Sequence, residues 1–369
     1  MLLGCTGEPA PLEGGALVAA THECARCHSA PGVLTEEPQA RNCVGCHQAI
    51  FAGAFDETHR PEGVARWKEN VRSLRYAPSL VGVGRLRADW LDNYLSSPHD
   101  LRPGLPASMP RLTLDAGERQ ALVSWLGADT RAVTTHTRGD PDAGLALMEA
   151  RGCGSCHVYS GSGTLADPPP ESVASILAPD LRHARERLSA ETLLAWLDDP
   201  AALKADTLMP APGLSAAERD DVAAALLRAP LAAPAAHAVP ERLPPLSQPV
   251  SFFDVEEAVF HKVCWHCHSD PDGNNGDGGP GNTGGLGYGG VGLDLGTREG
   301  VLRGMCRADG TCRSVLEGDP PLLVEAMRRR HQELAGQPAA RPGMPLGLPP
   351  MTAEQIQLVD TWIQQGAPP

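Results

Sequence analysis

The pentapeptide Cys-x-x-Cys-His occurs four times in this chain and decides its fold. The copies are Cys24-Ala-Arg-Cys27-His28, Cys43-Val-Gly-Cys46-His47, Cys153-Gly-Ser-Cys156-His157 and Cys264-Trp-His-Cys267-His268. In each copy two thiols lie three residues apart and a histidine follows directly. On a turn, two such thiols can add to the two vinyl groups of one porphyrin, with the histidine beneath the metal.

Four covalently bound c-type haems are therefore predicted, one for each copy. The eight cysteines would form the thioether links, and His28, His47, His157 and His268 would be the proximal iron ligands. Structural zinc sites also use Cys-x-x-Cys pairs, but a zinc site does not require a histidine after every pair. A thioredoxin-like redox pair would be expected once, near a βαβ pattern that the chain lacks.

The composition is typical of small helical domains packed around large cofactors. The 369 residues are enough for two or three domains, and aromatic residues make up 4% of them. We expect an all-α fold of tandem domains with irregular loops, which the 35 prolines and 40 glycines favour. The net charge of −14 disfavours nucleic acid and favours redox proteins with basic docking surfaces as partners.

Three cysteines lie outside the four motifs. Cys306 and Cys312 are close enough in sequence for a local disulfide, which would fit an oxidising compartment; a free buried pair is the alternative. Haem attachment of this kind resembles the bacterial export-side pathway. The expected location is therefore the periplasm or cell envelope.

The third of these cysteines, Cys5, follows Met1-Leu2-Leu3-Gly4, which resembles the end of a bacterial lipoprotein signal. Four residues are too few for a whole secretory signal, so a late start or a trimmed chain is expected. The resemblance implies that Cys5 carries lipid and tethers the protein to a membrane. An incidental terminal cysteine is the alternative. No stretch approaches the length of a transmembrane helix, so membrane association would need that lipid or a partner.

An internal repeat of about 100 residues organises the first two haem domains. The predicted divisions are a tether (1–11), a dihaem domain (12–130), a monohaem domain (139–229), a Pro-rich linker (230–249) and a third haem domain (250–369). The linker is expected to be extended and to space the third domain from the others without docking it. In the repeat, Pro78, Trp90 and Met109 correspond to Pro179, Trp196 and Met209.

Helix start signals precede the last helix of each domain. Ser215-x-x-Glu218 and Thr352-x-x-Gln355 are capping boxes, and Asp115-x-x-Glu118 is a looser version. Apolar residues behind these caps recur at helical spacing and are predicted to face the haem-side core. They are Leu122, Leu126, Val222, Leu226, Ile356, Val359 and Ile363.

A methionine followed by proline lies shortly before each of these helices. The three are Met109, Met209 and Met344. The proline removes a backbone donor and fixes the turn, so that the thioether can project from a loop. Recurrence behind three motifs predicts these methionines as sixth iron ligands. Met351 is the rival of Met344, but it abuts the helix cap and has less freedom to reach the iron.

Two stretches resemble class I cytochrome c domains: Cys153 to Leu227, and Cys43 to Leu126 with its extra upstream motif. In that family the haem motif follows an N-terminal helix, and the methionine ligand lies on a loop before the C-terminal helix. The third domain, which ends Trp362-Ile363-Gln364-Gln365-Gly366-Ala367, resembles haem domains common in large bacterial exported proteins. The resemblance implies covalent haem and electron transfer.

The first domain departs from the family pattern because it holds two motifs and one Met-Pro. Met109 could serve the first haem, whose motif follows a helix-like run, or the second, whose motif is nearer in the chain. For the remaining iron the predicted ligand is His59, with His99 and His22 as alternatives. Bis-His ligation would give that haem a lower potential than the His/Met haems.

Two further features lie in the third domain. Residues 270–277 are rich in oxygen ligands and resemble a calcium loop, but no glutamate closes the loop at the usual distance. A flexible Gly-rich loop is therefore the preferred interpretation. His266 is the variable residue of the fourth motif, and its ring is expected to point away from the iron.

The leading functional hypothesis is a tethered tetrahaem electron carrier between a membrane oxidoreductase and another redox partner. Such a carrier is not an enzyme, because it needs no substrate pocket and no acid–base pair. One alternative is a multihaem enzyme of the dihaem-peroxidase type, which requires one haem with an open position. Another is a cytochrome subunit that serves mainly as an anchor within a respiratory complex.

Overall fold

A computed structural model describes residues 12–30, 34, 42–71, 74–131, 138–167, 169, 171–269, 291–337 and 341–369. Helix makes up 47% of the chain and strand 3%, which confirms the predicted all-α class. Within the described ranges, no helix combines the length and the apolar character needed to cross a bilayer. Cys5 and the oxygen-rich residues 270–277 lie outside the described residues.

The first segment contains two cores, one for each of its motifs. Trp90, Leu91 and Leu122 form the larger core, and Cys24 and Met109 pack at its edge. A smaller core joins Cys46, Ile50, Val64 and Trp67 within a separate helical hairpin. The helices are α1 (Gly14–Thr21), α2 (Cys43–Phe51), α3 (Pro61–Asn70), α4 (Ala88–Ser96) and α5 (Ala116–Trp125).

The second segment repeats the arrangement of the larger core. Its first helix packs on its last, as α1 packs on α5. In both pairs the two helices approach most closely at a glycine of the first helix. A Cβ on Gly15 would collide with Trp125, and a Cβ on Gly144 would collide with the Asp221 carbonyl. The helices are α6 (Pro141–Ala150), α7 (Val173–Leu177), α8 (Ala184–Arg187), α9 (Ala190–Asp198), α10 (Pro200–Leu203) and α11 (Ala216–Arg228).

The third segment has the largest core, centred on the fully buried Trp362 and Phe260. Helix α12 (Phe252–Val255) continues into a π-helical stretch, Glu256–Cys264, which leads to the fourth motif. Strands β1 (Met305–Cys306) and β2 (Cys312–Arg313) form an antiparallel pair, and a disulfide joins Cys306 to Cys312. The remaining helices are α13 (Arg298–Arg303), α14 (Leu322–Leu334) and α15 (Ala353–Gln364).

The capping signals read from the sequence are confirmed. Asp115, Ser215 and Thr352 each accept a hydrogen bond from the backbone three residues on, and the side chain there bonds back to the cap. The apolar stripes behind them face the cores, with Leu122, Val222 and Val359 all buried.

The Pro-rich linker is extended, but it packs along α15. The Arg242 guanidinium Nε donates to Asp360 Oδ2 at 2.6 Å, and the Leu246 N–H donates to Thr361 Oγ1 at 3.0 Å. Farther along, the Val250 N–H donates to the Gln365 side chain at 2.8 Å. The backbone of this segment and Arg242 thus satisfy polar groups of the last helix of the third domain.

The third segment also contacts the first. The Ser108 N–H donates to the Gly347 carbonyl at 2.8 Å, and Arg330 Nη2 donates to Ser108 Oγ at 2.8 Å. Ser108 immediately precedes Met109, and Gly347 lies three residues after Met344. The two Met-Pro loops therefore meet, so the third domain is docked rather than held apart.

Candidate haem-binding sites

The histidines of the first three motifs, which the sequence predicts as proximal ligands, are oriented by backbone carbonyls. Nδ1 lies 2.8 Å from the Pro78 carbonyl in His28, 2.8 Å from the Pro179 carbonyl in His157, and 3.2 Å from the Leu74 carbonyl in His47. When Nδ1 is used in this way, Nε2 is left for a metal, the usual arrangement around ligating histidines. Pro78 and Pro179 are the matched residues of the repeat.

The proximal ring of the fourth motif is held differently. His268 is buried, and its Nδ1 makes no hydrogen bond of normal geometry with any described residue. Burial lowers the pKa of this histidine, while the Leu293 carbonyl partly opposes the shift. Burial also lowers the pKa of His28 and His157. All three imidazoles are therefore held neutral, which is the form that binds metal.

Three of the motifs fold into the same tight turn. The histidine N–H donates to the carbonyl of the first cysteine at 3.0 Å in His28–Cys24, His157–Cys153 and His268–Cys264. The second motif differs because it opens helix α2, where the Asn42 side chain caps the Gly45 N–H at 2.6 Å. Each form keeps both thiols and the histidine on one turn, as haem attachment requires.

Burial keeps the motif thiols protonated when no metal is bound. It raises the pKa of Cys24 to about 11 and that of Cys264 to about 12. Among the described residues, one set has ligand atoms converging closely enough for a metal ion: His99, His183 and Glu186. No motif cysteine belongs to it.

The fourth motif lies beside the first two, although it is far from them in sequence. Cys27 is hydrogen-bonded to Cys43, and this contact and burial together raise the pKa of Cys27. Cys267 is close enough to add to that shift. The rings of His47 and His266 have centres 6.0 Å apart.

The methionines predicted as sixth ligands occupy different environments. Met109 shares its core with Cys24, which associates it with the first motif, whereas the second motif packs in the separate hairpin core. Met209 Sδ accepts a hydrogen bond from the Trp196 indole at 3.0 Å. Met344 is half-buried, while its rival Met351 is 3% exposed and packs in the same core as Cys264.

The histidines proposed for the remaining iron lie in three places, and that of His59 is the hairpin that carries the second motif. His59 has its described contacts within its own hairpin: its ring lies 5.3 Å from Phe55 and 5.2 Å from Trp67. His22 Nε2 lies 3.3 Å from Glu118. His99 lies beside His183 of the second segment, with ring centres 5.0 Å apart. The residue beside His47 is His266, which the sequence analysis did not consider as a ligand.

The first two segments contact each other reciprocally. Arg85 of the first segment lies 4.9 Å above the Trp196 ring of the second, and Arg187 of the second lies 5.3 Å from the Trp90 ring of the first. These four residues are matched pairs in the repeat: each arginine stands three residues before the helix that carries the tryptophan. The matched spacing of arginine and tryptophan can be read from the sequence. The repeat alone does not show that each arginine contacts the tryptophan of the other segment.

Basic residues also reach from each segment to the loop that orients the other's proximal histidine. Arg102 Nε donates to the Leu177 carbonyl at 2.9 Å, two residues before Pro179. Lys204 Nζ donates to the Val81 carbonyl at 3.1 Å, three residues after Pro78. The two candidate haem sites are thus fixed relative to each other through their proximal loops.

This interface buries positive charge. Burial lowers the pKa of all three arginines, that of Arg85 to about 10 and that of Arg187 to about 9. Repulsion from the positive charge of Arg102 lowers the pKa of Arg85 and Arg187 further. In the described part of the chain, none of the three is in an ion pair with a carboxylate, and Arg187 Nε lacks a hydrogen-bond partner. Buried cations require anionic partners. Haem propionates would supply them, so these residues fit the cofactor.

Comparison with known proteins identifies one segment. The model of the cytochrome c family matches residues 141–228, which contain the third motif, His157 and Met209. Neither the curated proteins nor the solved structures gave a match. Residues 141–228 are therefore similar to cytochrome c, a family that generally carries covalently bound haem and transfers electrons.

Proposed function

Starting from the similarity of residues 141–228 to cytochrome c, we propose that the whole chain is a tetrahaem c-type cytochrome. It would transfer electrons between a membrane oxidoreductase and another redox partner. The observation that carries this proposal is that the four motifs are linked by contacts in the folded chain. In sequence they are spread over 245 residues, from Cys24 to His268.

The contacts define a path from one motif to the next. The reciprocal interface, through Arg102 and Arg187, joins the third motif to the first. Cys27 then contacts Cys43 of the second motif, and Cys267 of the fourth lies beside them. A storage or anchoring role would not require this proximity, whereas relaying electrons does.

The protein's part is to hold and orient the cofactors. Each haem, when bound, supplies a one-electron iron couple. Carbonyls of Pro78, Pro179 and Leu74 orient the proximal imidazoles, and the Trp196 indole orients the Met209 thioether. The buried Arg187 and the half-buried Arg85 and Arg102 would supply positive charge for the propionates.

The proposed location is outside the cytoplasmic membrane, with the chain tethered through lipid on Cys5 or held by a membrane complex. The disulfide between Cys306 and Cys312 supports an oxidising compartment. The charge of −14 supports redox partners with basic docking surfaces. Cell fractionation tests the location: protein found solely in the cytoplasm would contradict it.

The number of haems is tested by the mass of the denatured, purified protein from cells able to attach c-type haem. We expect the polypeptide mass plus four haems, because thioether links survive denaturation. The double variant Cys153→Ala/Cys156→Ala should carry three haems. The mass of bare polypeptide in the wild type would end the proposal.

Carbon monoxide separates a carrier from an enzyme with an open haem. A carrier with four six-coordinate haems should show no carbon monoxide spectrum when reduced at neutral pH. A wild-type protein in which one haem binds carbon monoxide would instead favour the dihaem-peroxidase type of enzyme.

A further inference from the structure

Three side chains of metal-binding type meet where the first two segments contact each other. His99 follows α4 of the first segment, whereas His183 directly precedes α8 of the second and Glu186 lies within α8. His183 Nδ1 lies 2.5 Å from Glu186 Oε1, and His99 Nε2 lies 3.9 Å from the same oxygen. One ligand atom from each of the three residues lies within 4.8 Å of the other two. The cluster is therefore complete only when both segments are in place.

The separations within this cluster fit a tetrahedral zinc ion. Zinc bonds to nitrogen and oxygen are about 2.0–2.2 Å long, so neighbouring ligand atoms in a tetrahedral site lie about 3.3 Å apart. The two distances to Glu186 Oε1 fall on either side of that value, and shifts below about 1 Å would equalise them. The side chains of His99 and Glu186 are 44% and 48% exposed, so both have room to make such shifts.

The ligands are also in the forms that bind a metal. His183 and Glu186 are three residues apart, which puts both side chains on the same side of the helical turn. The hydrogen bond from His183 lowers the pKa of Glu186, so the carboxylate is ionised. Burial lowers the pKa of His99, so its imidazole is neutral. Two imidazoles and one carboxylate are a donor set that holds zinc with one position left open.

A cavity gives solvent access to this cluster. Its volume is about 440 Å³, and His99 and Glu186 line it together with Trp90, Asn93 and Tyr94 of α4. The Tyr94 ring packs edge-on against the His99 ring, with the ring centres 5.4 Å apart. An ion from solution can therefore reach the ligand atoms, while the aromatic contact restricts how far the imidazole turns.

The charges around the cluster favour a cation over an anion. The carboxylate of Glu186 lies at its centre, within reach of both imidazoles. Arg187 is close enough to act on the pKa of His99 and of Glu186, so a divalent ion needs the negative charge of Glu186 to offset that repulsion. We propose that His99, His183 and Glu186 bind one zinc ion, which joins the first segment to the second. None of the three residues belongs to a haem motif, so the site is separate from the proposed haems.

His261 provides a matched control, because it also lies beside two glutamates. Its Nε2 is 3.1 Å from Glu256 and its Nδ1 is 3.7 Å from Glu257. The two carboxylates thus face different nitrogens of the ring, and these three residues do not converge on one point as the proposed ligands do. Removing this imidazole takes away a histidine in an acidic setting and leaves the proposed site intact.

The test is calorimetric titration of zinc chloride into the purified, full-length, haem-loaded protein after treatment with a chelator. The wild type should bind one zinc ion per chain. His99→Ala, His183→Ala and Glu186→Gln should each weaken binding about 100-fold or more, because loss of even an outer partner of a metal ligand costs about 10–100-fold. His261→Ala should bind as the wild type does. Zinc should also raise the unfolding temperature of the wild type and of His261→Ala, but not that of His183→Ala.

A wild type that binds no zinc would overturn the proposal, and so would equal affinities in the wild type and the three ligand variants. Should His183→Ala fail to fold, Glu186→Gln supplies the same comparison, because it keeps the size of the side chain and removes its charge. Neither result bears on the number of haems, which the mass of the denatured protein decides separately.

Discussion

Single residues decide the geometry of each candidate haem site. The residue before the first cysteine takes a left-handed conformation in both repeats, as Glu23 with φ of 50° and as Gly152 with φ of 71°. The proximal imidazoles of those motifs are then turned toward proline carbonyls. Repeated local geometry of this kind is what allows one short motif to build equivalent sites in different surroundings.

The fourth motif offers a test at this scale, because two methionines compete as ligands of the iron proposed there. We expect Met344→Leu to open that haem to carbon monoxide, since Met344 lies on a half-buried loop fixed by its N–H bond to the Ala326 carbonyl. Met351→Leu should leave ligation intact and cost less than about 1.5 kcal/mol of unfolding free energy, as expected for a volume-conserving core change. An open haem in Met351→Leu instead would assign the iron to Met351.

At the scale of elements, the linker is held to α15 by a partly buried ion pair. Asp360 is 2% exposed, and Arg242 bonds both of its oxygens, at 2.6 and 3.0 Å. Burial by itself raises the pKa of Asp360, but the bonds from Arg242 and Gln364 outweigh it and leave the pKa below its usual value. Asp319 also bonds Arg242, but its side chain is 85% exposed.

Arg242→Ala should destabilise the protein by about 2–3 kcal/mol at pH 7, because it leaves a buried carboxylate without its cation. The folded-state pKa of Asp360 lies below the unfolded value. The ion pair therefore contributes its full stabilising free energy above the ordinary aspartate pKa of about 4. That contribution disappears as the pH falls through the lower pKa of Asp360 in the folded state. The difference between variant and wild type in urea unfolding should shrink in acid.

The matched control for this pair is Asp319→Asn, which removes the exposed partner of the same guanidinium. It should cost less than about 1 kcal/mol, as for other exposed pairs. Equal losses from the two substitutions would show that burial of Asp360 is not the source of the stability.

At the scale of the whole molecule, the first two segments form a reciprocal pair with a cationic interior. Oxidised haem iron carries one more positive charge than reduced iron, so a nearby buried cation disfavours oxidation and raises the potential. Arg187→Leu should therefore lower at least one midpoint potential, by about 60 mV, which is tenfold in the equilibrium constant for one electron. Spectroelectrochemical titration measures this.

Arg66→Leu is the control, because it removes the same charge from the exposed face of α3. Its effect on the potentials should be much smaller, since water and salt screen surface charge. Equal shifts in the two variants would indicate an effect of net charge and would contradict a role for the buried cluster.

The sequence by itself predicted the haem chemistry and determined the helical class and the helix starts. Cys-x-x-Cys-His, Met-Pro and the capping boxes are local patterns whose physical consequences lie within a few residues, so Ser215 and Thr352 cap as predicted. The tertiary structure alone decided which residues meet. That Arg187 crosses to Trp90, that the linker binds α15 and that His266 stands beside His47 depend on packing between distant segments. Local periodicity cannot encode such contacts, because they are fixed by the burial of surfaces that only the folded chain brings together.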